Sequence, residues 1–192
     1  MAAASVVTAH GFLLFDTPIG TCGLAWSDRG VVGVQLPEGN EAAARARLRR
    51  DFPETQESPP PPQVARAVEA IVALLSGEAR DLSFVELDMR HVPPFNRRVY
   101  EIARTIPPGA TLSYGEIAAR LGAPGAARDV GAALGHNPFA IVVPCHRVVA
   151  ANGKLGGFSA RGGIKTKLRL LSIEGVQAPG TVPLFERGPL AR

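Results

Sequence analysis

The stretch Ile141-Val142-Val143-Pro144-Cys145-His146-Arg147-Val148-Val149 sets a thiol between a run of β-branched apolar side chains and a histidine. Ile141, Val142 and Val143 are stiff at χ1 and favour a buried strand, and Pro144, lacking an N–H, would end any ladder just before Cys145. The expectation is a short strand that delivers Cys145 to the lip of the fold. In an extended chain neighbouring side chains point to opposite faces, so His146 reaches the Cys145 sulfur only if a turn follows Pro144 or a water bridges the two. A thiol of ordinary pKa is only a few per cent ionised at neutral pH, so nucleophilic work needs a base or a positive field beside it. The competing reading is a cysteine that merely fills an apolar gap, since unpaired cysteine is among the most buried residue types.

Outward from this stretch the signals turn helical. Ile164 to Ile173 reads as a helix, and Glu174 follows at its last turn, where the macrodipole disfavours an anion by about a few tenths of a kcal/mol. A carboxylate kept there points to a compensating partner. Upstream, Ser113 and Glu116 form a capping box for a helix from Tyr114 that Gly122 closes. A second helix, Ala126 to Leu134, stops near Gly135, and the pair reads as a helix-turn-helix. Ala126, Ala127, Gly131, Ala132 and Ala133 give this second helix a surface of small residues that permits close approach, with Arg128 as its long basic side chain. Asn137, before Pro138, suits a cap or turn because its side chain bonds local backbone. Phe95 to Ile106 carries Phe95, Val99, Ile102 and Ile106 on one helical face. Ile141, the Asn152-Gly153 turn and Leu155 to Phe158 read as a wing-like hairpin.

The first half has a different texture. Thr17-Pro18-Ile19-Gly20 is turn chemistry, and the apolar runs Thr21 to Ser27 and Val31 to Leu36 around Asp28-Arg29-Gly30 predict a β-hairpin. Glu41 to Phe52 is helix-forming. Residues 58–62, with four prolines, make an extended spacer. Val64, Ala67, Val68, Ile71, Val72 and Leu75 recur at helical spacing before Gly77, and Leu82 to Leu87 alternates like a half-buried strand. The fold class is therefore α+β, divided into an N-terminal domain at 1–92, a helix-turn-helix domain at 93–178 and a tail at 179–192.

At 192 residues the chain suits one good core or two small ones. No apolar run reaches the roughly 18 residues of a membrane span, and Met1 to His10 lacks the pattern of a secretory leader. Two cysteines, Cys22 and Cys145, allow one disulfide at most, and a reactive thiol calls for a reducing compartment, so the cytoplasm, in association with the nucleoid, is expected. Charge is unevenly spread: residues 1–92 hold 8 basic and 12 acidic side chains, residues 93–192 hold 13 and 5. A half of net charge +8 that also carries the thiol fits a nucleic-acid footprint. His10, Cys22 and His91 have no metal-ligand spacing, so no metal is expected.

The motifs around Cys145 occur in a fixed order: Ser113-Tyr114-Gly115-Glu116, Ala126-Ala127-Arg128-Asp129-Val130-Gly131, Asn137-Pro138, Pro144-Cys145-His146-Arg147-Val148, Asn152-Gly153-Lys154-Leu155-Gly156-Gly157 and Leu170-Leu171-Ser172-Ile173-Glu174-Gly175. This ordered set, covering residues 93–176, resembles the O6-alkylguanine-DNA alkyltransferases, which move an alkyl group from guanine O6 to their own cysteine. Thr17-Pro18-Ile19-Gly20 and the helix before Gly77-Glu78 are weaker echoes. The resemblance implies a small ribonuclease H-like α/β domain followed by a winged helix-turn-helix domain.

It also implies roles. Cys145 would be the nucleophile, His146 its base through water and Glu174 the orienter of His146. Asn137 would be a hinge. Arg128 would fill the space of a nucleotide flipped from the minor groove, with Tyr114 pressing on its phosphate and Ser113, Ala127 and Gly131 on the DNA side. Leu134, Pro144, Val148, Phe158 and Ser159 would form the substrate pocket. The partner would be double-stranded DNA carrying O6-alkylguanine or O4-alkylthymine, met by a monomer, acting alone or cooperatively on DNA, with no soluble cofactor. Phe158 stands where the family often has tyrosine, and Ala160-Arg161 lengthens the following loop. The rival readings are a non-catalytic lesion sensor, a helix-turn-helix DNA-binding module and, more remotely, a thiol hydrolase.

Overall fold

The computed structural model describes residues 9–151 and 154–176. The Asn152-Gly153 turn and the tail from Gln177 therefore lie outside the described residues. Three antiparallel strands, β1 (Gly11–Thr17), β2 (Gly20–Ser27) and β3 (Gly30–Gln35), form a sheet in that order, with a bulge between Ala25 and Trp26. The expected hairpin is β2–β3. The first strand has no alternating pattern, because Leu13, Leu14 and Phe15 are apolar in sequence yet all only half-buried, and its sequence alone did not mark it.

Helices α1 (Glu41–Asp51) and α2 (Pro62–Leu75) follow. Asn40 caps α1 by accepting from Ala43 N at 2.8 Å, and α1 buries Ala44 and Leu48. Pro62 supplies the first residue of α2, where a missing N–H costs nothing, and Val64, Ala67, Ile71, Leu74 and Leu75 form its buried stripe. Leu82 to Leu87 is not the expected strand. Only Leu87 bridges to Val31; the Asp81 carboxylate takes Ser83 N at 2.8 Å, and Arg104 donates to the Ser83 and Val85 carbonyls at 2.8 Å each. Side chains thus occupy the backbone groups that a ladder would have used.

In the second half, α3 (Pro94–Arg104) leads to the short strand β4 (Leu112–Ser113) and then to α4 (Tyr114–Arg120) and α5 (Ala127–Gly135). The capping box of Ser113 and Glu116 forms, with both reciprocal hydrogen bonds. Tyr100 of α3 donates to the Ala133 carbonyl at 2.9 Å and meets Phe139 edge-on, 6.3 Å between ring centroids, which ties α3 to α5 and the chain beyond it. One apolar cluster runs through both halves, from Leu24, Val34 and Ile71 to Val99, Ile117, Val130, Val143 and Leu170. A smaller one, Phe12, Ala25, Val32 and Leu48, lies under α1.

The run before the cysteine is buried but not extended. Val142 N donates to Ala140 O at 2.9 Å around Ile141, whose φ is +72°, and Cys145 N donates to Val143 O at 2.8 Å around Pro144 at φ −80° and ψ 66°. These are two γ-turns, the first of the strained positive-φ kind. A 3-10 turn, Cys145–Arg147, and the two-residue strand β5 (Val148–Val149) follow. Buried β-branched residues favour a strand only if a neighbour supplies a ladder. Here the Pro138–Phe139 segment takes the edge of β3, with Val34 N on Pro138 O at 2.8 Å, and leaves Ile141–Val143 to turn inward.

The wing-like hairpin is likewise absent among the described residues. β5 pairs in parallel with β4, and Leu155 to Phe158 is irregular because Gly156 adopts φ +67°, incompatible with an extended strand. A Cβ on Gly156 would lie 3.0 Å from the Tyr114 ring, so glycine also permits this close approach. The last helix, α6 (Ile164–Ile173), ends at Glu174.

Candidate active site

Cys145 opens the 3-10 turn, half-buried, and lines a cleft of about 760 Å³. Ser113, Tyr114, Ala127, Arg128 and Gly131, from the start of α4 and from α5, share that cleft, as do Leu134, Phe158 and Ser159. Two expected pocket residues do not line it. Pro144 forms the corner of its γ-turn and borders a separate, smaller cleft with Arg104 and Arg147, and Val148 is committed to the β4–β5 ladder. The Val148 carbonyl accepts from Lys167 Nζ at 2.5 Å.

Behind the cysteine lies a sealed polar cluster. His146 is 1% exposed, and its Nε2 is 2.9 Å from Glu174 Oε1. Arg147 clamps the same carboxylate: Nε donates to Oε2 and Nη2 to Oε1, each at 2.8 Å, while Nη1 donates to the Ile106 carbonyl at 2.6 Å. Arg147 is thus the compensating partner that the misplaced anion at the end of α6 calls for. Such a bidentate pair is among the stronger side-chain interactions. The other ring nitrogen of His146, Nδ1, is buried with no protein partner among the described residues.

The titration behaviour follows from this packing. Burial pushes the Cys145 thiol up, against a hydrogen bond from Asn137 and the positive field of Lys167. Burial pushes His146 down, with Glu174 pulling the other way. Burial alone would raise Glu174, but its bonds from His146 and Arg147 win and hold it at about 2. Lys167, fully buried, is lowered to about 8 by desolvation, opposed by the charge of a Cys145 thiolate, and its Nζ lies 5.8 Å from the Tyr114 ring centroid. A neutral thiol, a neutral imidazole, an ionised carboxylate and a cation of tunable charge are therefore packed together.

Asn137 holds the turn that presents the thiol. Its Nδ2 donates to Val143 O and its Oδ1 accepts from Phe139 N, both at 2.9 Å. Sequence reasoning did not single out Arg147 and Lys167. The signal for Lys167 was available: Lys167, Leu170, Leu171 and Glu174 recur at i, i+3, i+4 and i+7, so the lysine falls on the core stripe of α6. No group of three His, Cys, Asp or Glu side chains able to hold a metal occurs among the described residues. No helix among them is long and apolar enough to cross a membrane.

The methylated-DNA–protein-cysteine methyltransferase of Mycobacterium tuberculosis is 43% identical over 171 residues, which cover 89% of this chain and 96% of that protein. The chain belongs to the methylated-DNA–protein-cysteine methyltransferase family. A member from Methanothermobacter thermautotrophicus is 36% identical over 163 residues, 85% of this chain and 84% of its own. The sequence model of the 6-O-methylguanine DNA methyltransferase DNA-binding domain matches residues 94–176, which hold α3 to α6 and the whole cysteine cleft. The crystal structure of the Mycobacterium tuberculosis methyltransferase OGT in complex with DNA superposes at TM-score 0.69 and 40% identity, covering 85% of this chain and 92% of that one. The O6-methylguanine-DNA methyltransferase of Pyrococcus kodakaraensis does so at 0.65 and 28% identity, covering 86% and 99%. Family membership thus extends over both halves of the chain, including the sheet that sequence motifs barely marked.

Proposed function

We propose that this chain repairs alkylated DNA by moving an alkyl group from guanine O6, or thymine O4, onto Cys145, once per molecule. The observation that carries the reading is the half-buried Cys145 in a cleft edged by α4 and α5, backed by the sealed His146, Arg147 and Glu174 cluster. The Cys145 sulfur attacks the alkyl carbon, the S–C bond forms as the C–O6 bond breaks, and the electron pair leaves on the base, which takes up a proton. The thiol proton passes to His146, whose unpartnered Nδ1 is the available acceptor, through one water. Glu174, kept anionic, stabilises the imidazolium that forms, while Arg147 fixes the carboxylate so that its Oε1 stays on His146. Because the resting thiol is held neutral, the thiolate exists only transiently, with Lys167 and Asn137 beside it.

On the DNA side, α4 and α5 act as a helix-turn-helix and α5 enters the minor groove, its small face allowing close backbone approach. Residues 93–178 form this active domain, and 1–92 a ribonuclease H-like unit that supports it. Arg128, exposed at the start of α5, fills the stack vacated by the flipped nucleotide, for which a planar guanidinium suits better than an ammonium. Incubation with O6-methylguanine duplex, followed by mass spectrometry, tests the proposal. One methyl on Cys145 and no further turnover is expected. Tight binding with an unmodified cysteine would identify a lesion sensor instead. For Arg128, the Arg128→Lys and Arg128→Ala variants are both expected to lose far more rate on paired than on mismatched duplex. Equal fractional losses on the two substrates would leave the side chain a phosphate contact only.

A further inference from the structure

The wall of the cleft at Phe158–Ser159 is held from outside the site. Among the described residues, Leu155 to Ser159 make no hydrogen bond of their own, and the loop continues into Gly162 and Gly163 at φ +84° and +53°. Just past the wall, the Arg161 guanidinium donates to the Glu38 carbonyl on the loop after β3 and lies flat over Gly39; a Cβ there would come within 2.9 to 3.2 Å of three guanidinium atoms. Gly39 has φ +107°, so glycine is needed both for the backbone and for the stacking. Thr166 Oγ1 in turn donates to the Arg161 carbonyl at 2.6 Å, which fixes the loop's far end on α6. Ala160-Arg161 is also the lengthening that sets this loop apart in the sequence.

The wall has space on both sides. Ser159 lines the 760 Å³ cleft and also a second cleft of about 460 Å³, between β3, α1 and the Asn137 turn; Gly135 is shared in the same way. We infer that Arg161, by pinning Ser159 as the partition between these two cavities, limits the size of alkyl group that the cysteine cleft accepts. Arg161 touches no reacting atom; it is a positioning residue that sets specificity, and the inference rests on the alkyl-transfer reading above. With the tether released, the wall can move back into the second cleft and admit a bulky adduct, while a methyl group needs no such room.

The test is single-turnover transfer from duplexes carrying O6-methylguanine or O6-benzylguanine to wild type, Arg161→Ala, Arg161→Lys and Gly39→Ala. Arg161→Ala is expected to keep the methyl rate within about threefold and to raise the benzyl-to-methyl ratio about tenfold, the scale on which pockets discriminate a misfitting carbon group. Gly39→Ala, which displaces the guanidinium from the opposite side, is expected to raise the ratio similarly. Arg161→Lys, which can still donate to the Glu38 carbonyl, is expected to return the ratio toward wild type. A ratio unchanged in both Arg161→Ala and Gly39→Ala, with methyl transfer intact, overturns the inference alone. A wild-type protein that takes no methyl onto Cys145 overturns the alkyl-transfer reading instead.

Discussion

The β2–β3 hairpin and the Asn137–Val149 segment are both rich in valine, and each carries one of the chain's two cysteines, yet they are built on opposite principles. In the hairpin, neighbouring strands satisfy the backbone, and Cys22 sits in the ladder with 1% of its surface exposed, 3.7 Å from Thr17 Oγ1. Burial pushes that thiol up to about 11. In the second segment the backbone folds through two γ-turns, Ile141 takes a conformation costly for a β-branched side chain, and one Asn137 side chain stands in for a missing strand. The outcome is a cysteine turned to a cleft beside a hydrogen-bond donor and a lysine. Irregular backbone thus brings one thiol to a cleft, where the proposed alkyl transfer needs it, and regular backbone seals the other inside a sheet.

The comparison is broken most directly by exchanging the thiols' roles. Cys145→Ser is expected to abolish alkyl transfer with the duplex still bound, measured by label retention on the protein and by gel shift, whereas Cys22→Ser is expected to transfer at the wild-type rate. Next in size is Glu174→Gln, which leaves Arg147 buried without its counter-charge. Loss of one partner of a buried pair costs about 3–5 kcal/mol, readable by urea unfolding at neutral pH.

The same carboxylate gives a pH signature. Its folded pKa of about 2 lies below the usual 4.5, so the unfolded chain takes up the proton first. Stability from this group is complete above about pH 4.5 and drains away as the pH falls toward 2, by about 3 kcal/mol in all. Glu174→Gln should flatten that part of the acid-unfolding curve. A curve of unchanged steepness would remove Glu174 from the account.

Smaller effects sharpen the contrast. Asn137→Ala removes two hydrogen bonds from the turn, an expected loss of about 2–3 kcal/mol in urea, together with a slower transfer rate. Cys22→Ser buries a hydroxyl with only a distant partner and should cost about 1–2 kcal/mol. If Cys22→Ser proved the more damaging of the two, the regular sheet rather than the turn would be the sensitive region.

How legible each region was in the sequence follows from the same contrast. Helix α2, the capping box of α4 and the β2–β3 hairpin could be read because periodicity and caps are local. The pairing of His146 with Glu174 was reached through ordered motifs, and the two lie 2.9 Å apart behind the turn that carries Cys145. Three strands were misjudged for physical reasons. Leu82–Leu87 and Ile141–Val143 have the composition of strands, but their hydrogen bonds go to Arg104, Asp81, Asn137 and nearby carbonyls. Leu155–Phe158 contains Gly156, whose φ of +67° breaks the extended run where the Tyr114 ring packs against it. Arg147 was missed because a charge buried by its partners 27 and 41 residues away leaves no local pattern.

The two rungs that join β4 to β5, Leu112 opposite Val148 and Ser113 opposite Val149, carry a kinetic consequence. Ser113 is the cap from which α4 starts, and Val148 follows the cysteine's own turn, so the surface proposed to meet a duplex and the sulfur proposed to meet its lesion are fastened in one register. A substrate docked against α4 and α5 would find its nucleophile already at a fixed distance and angle. The search that two free reactants would make in solution is removed at the folding stage, which in chemical terms gives the thiol a high effective molarity toward whatever the cleft holds.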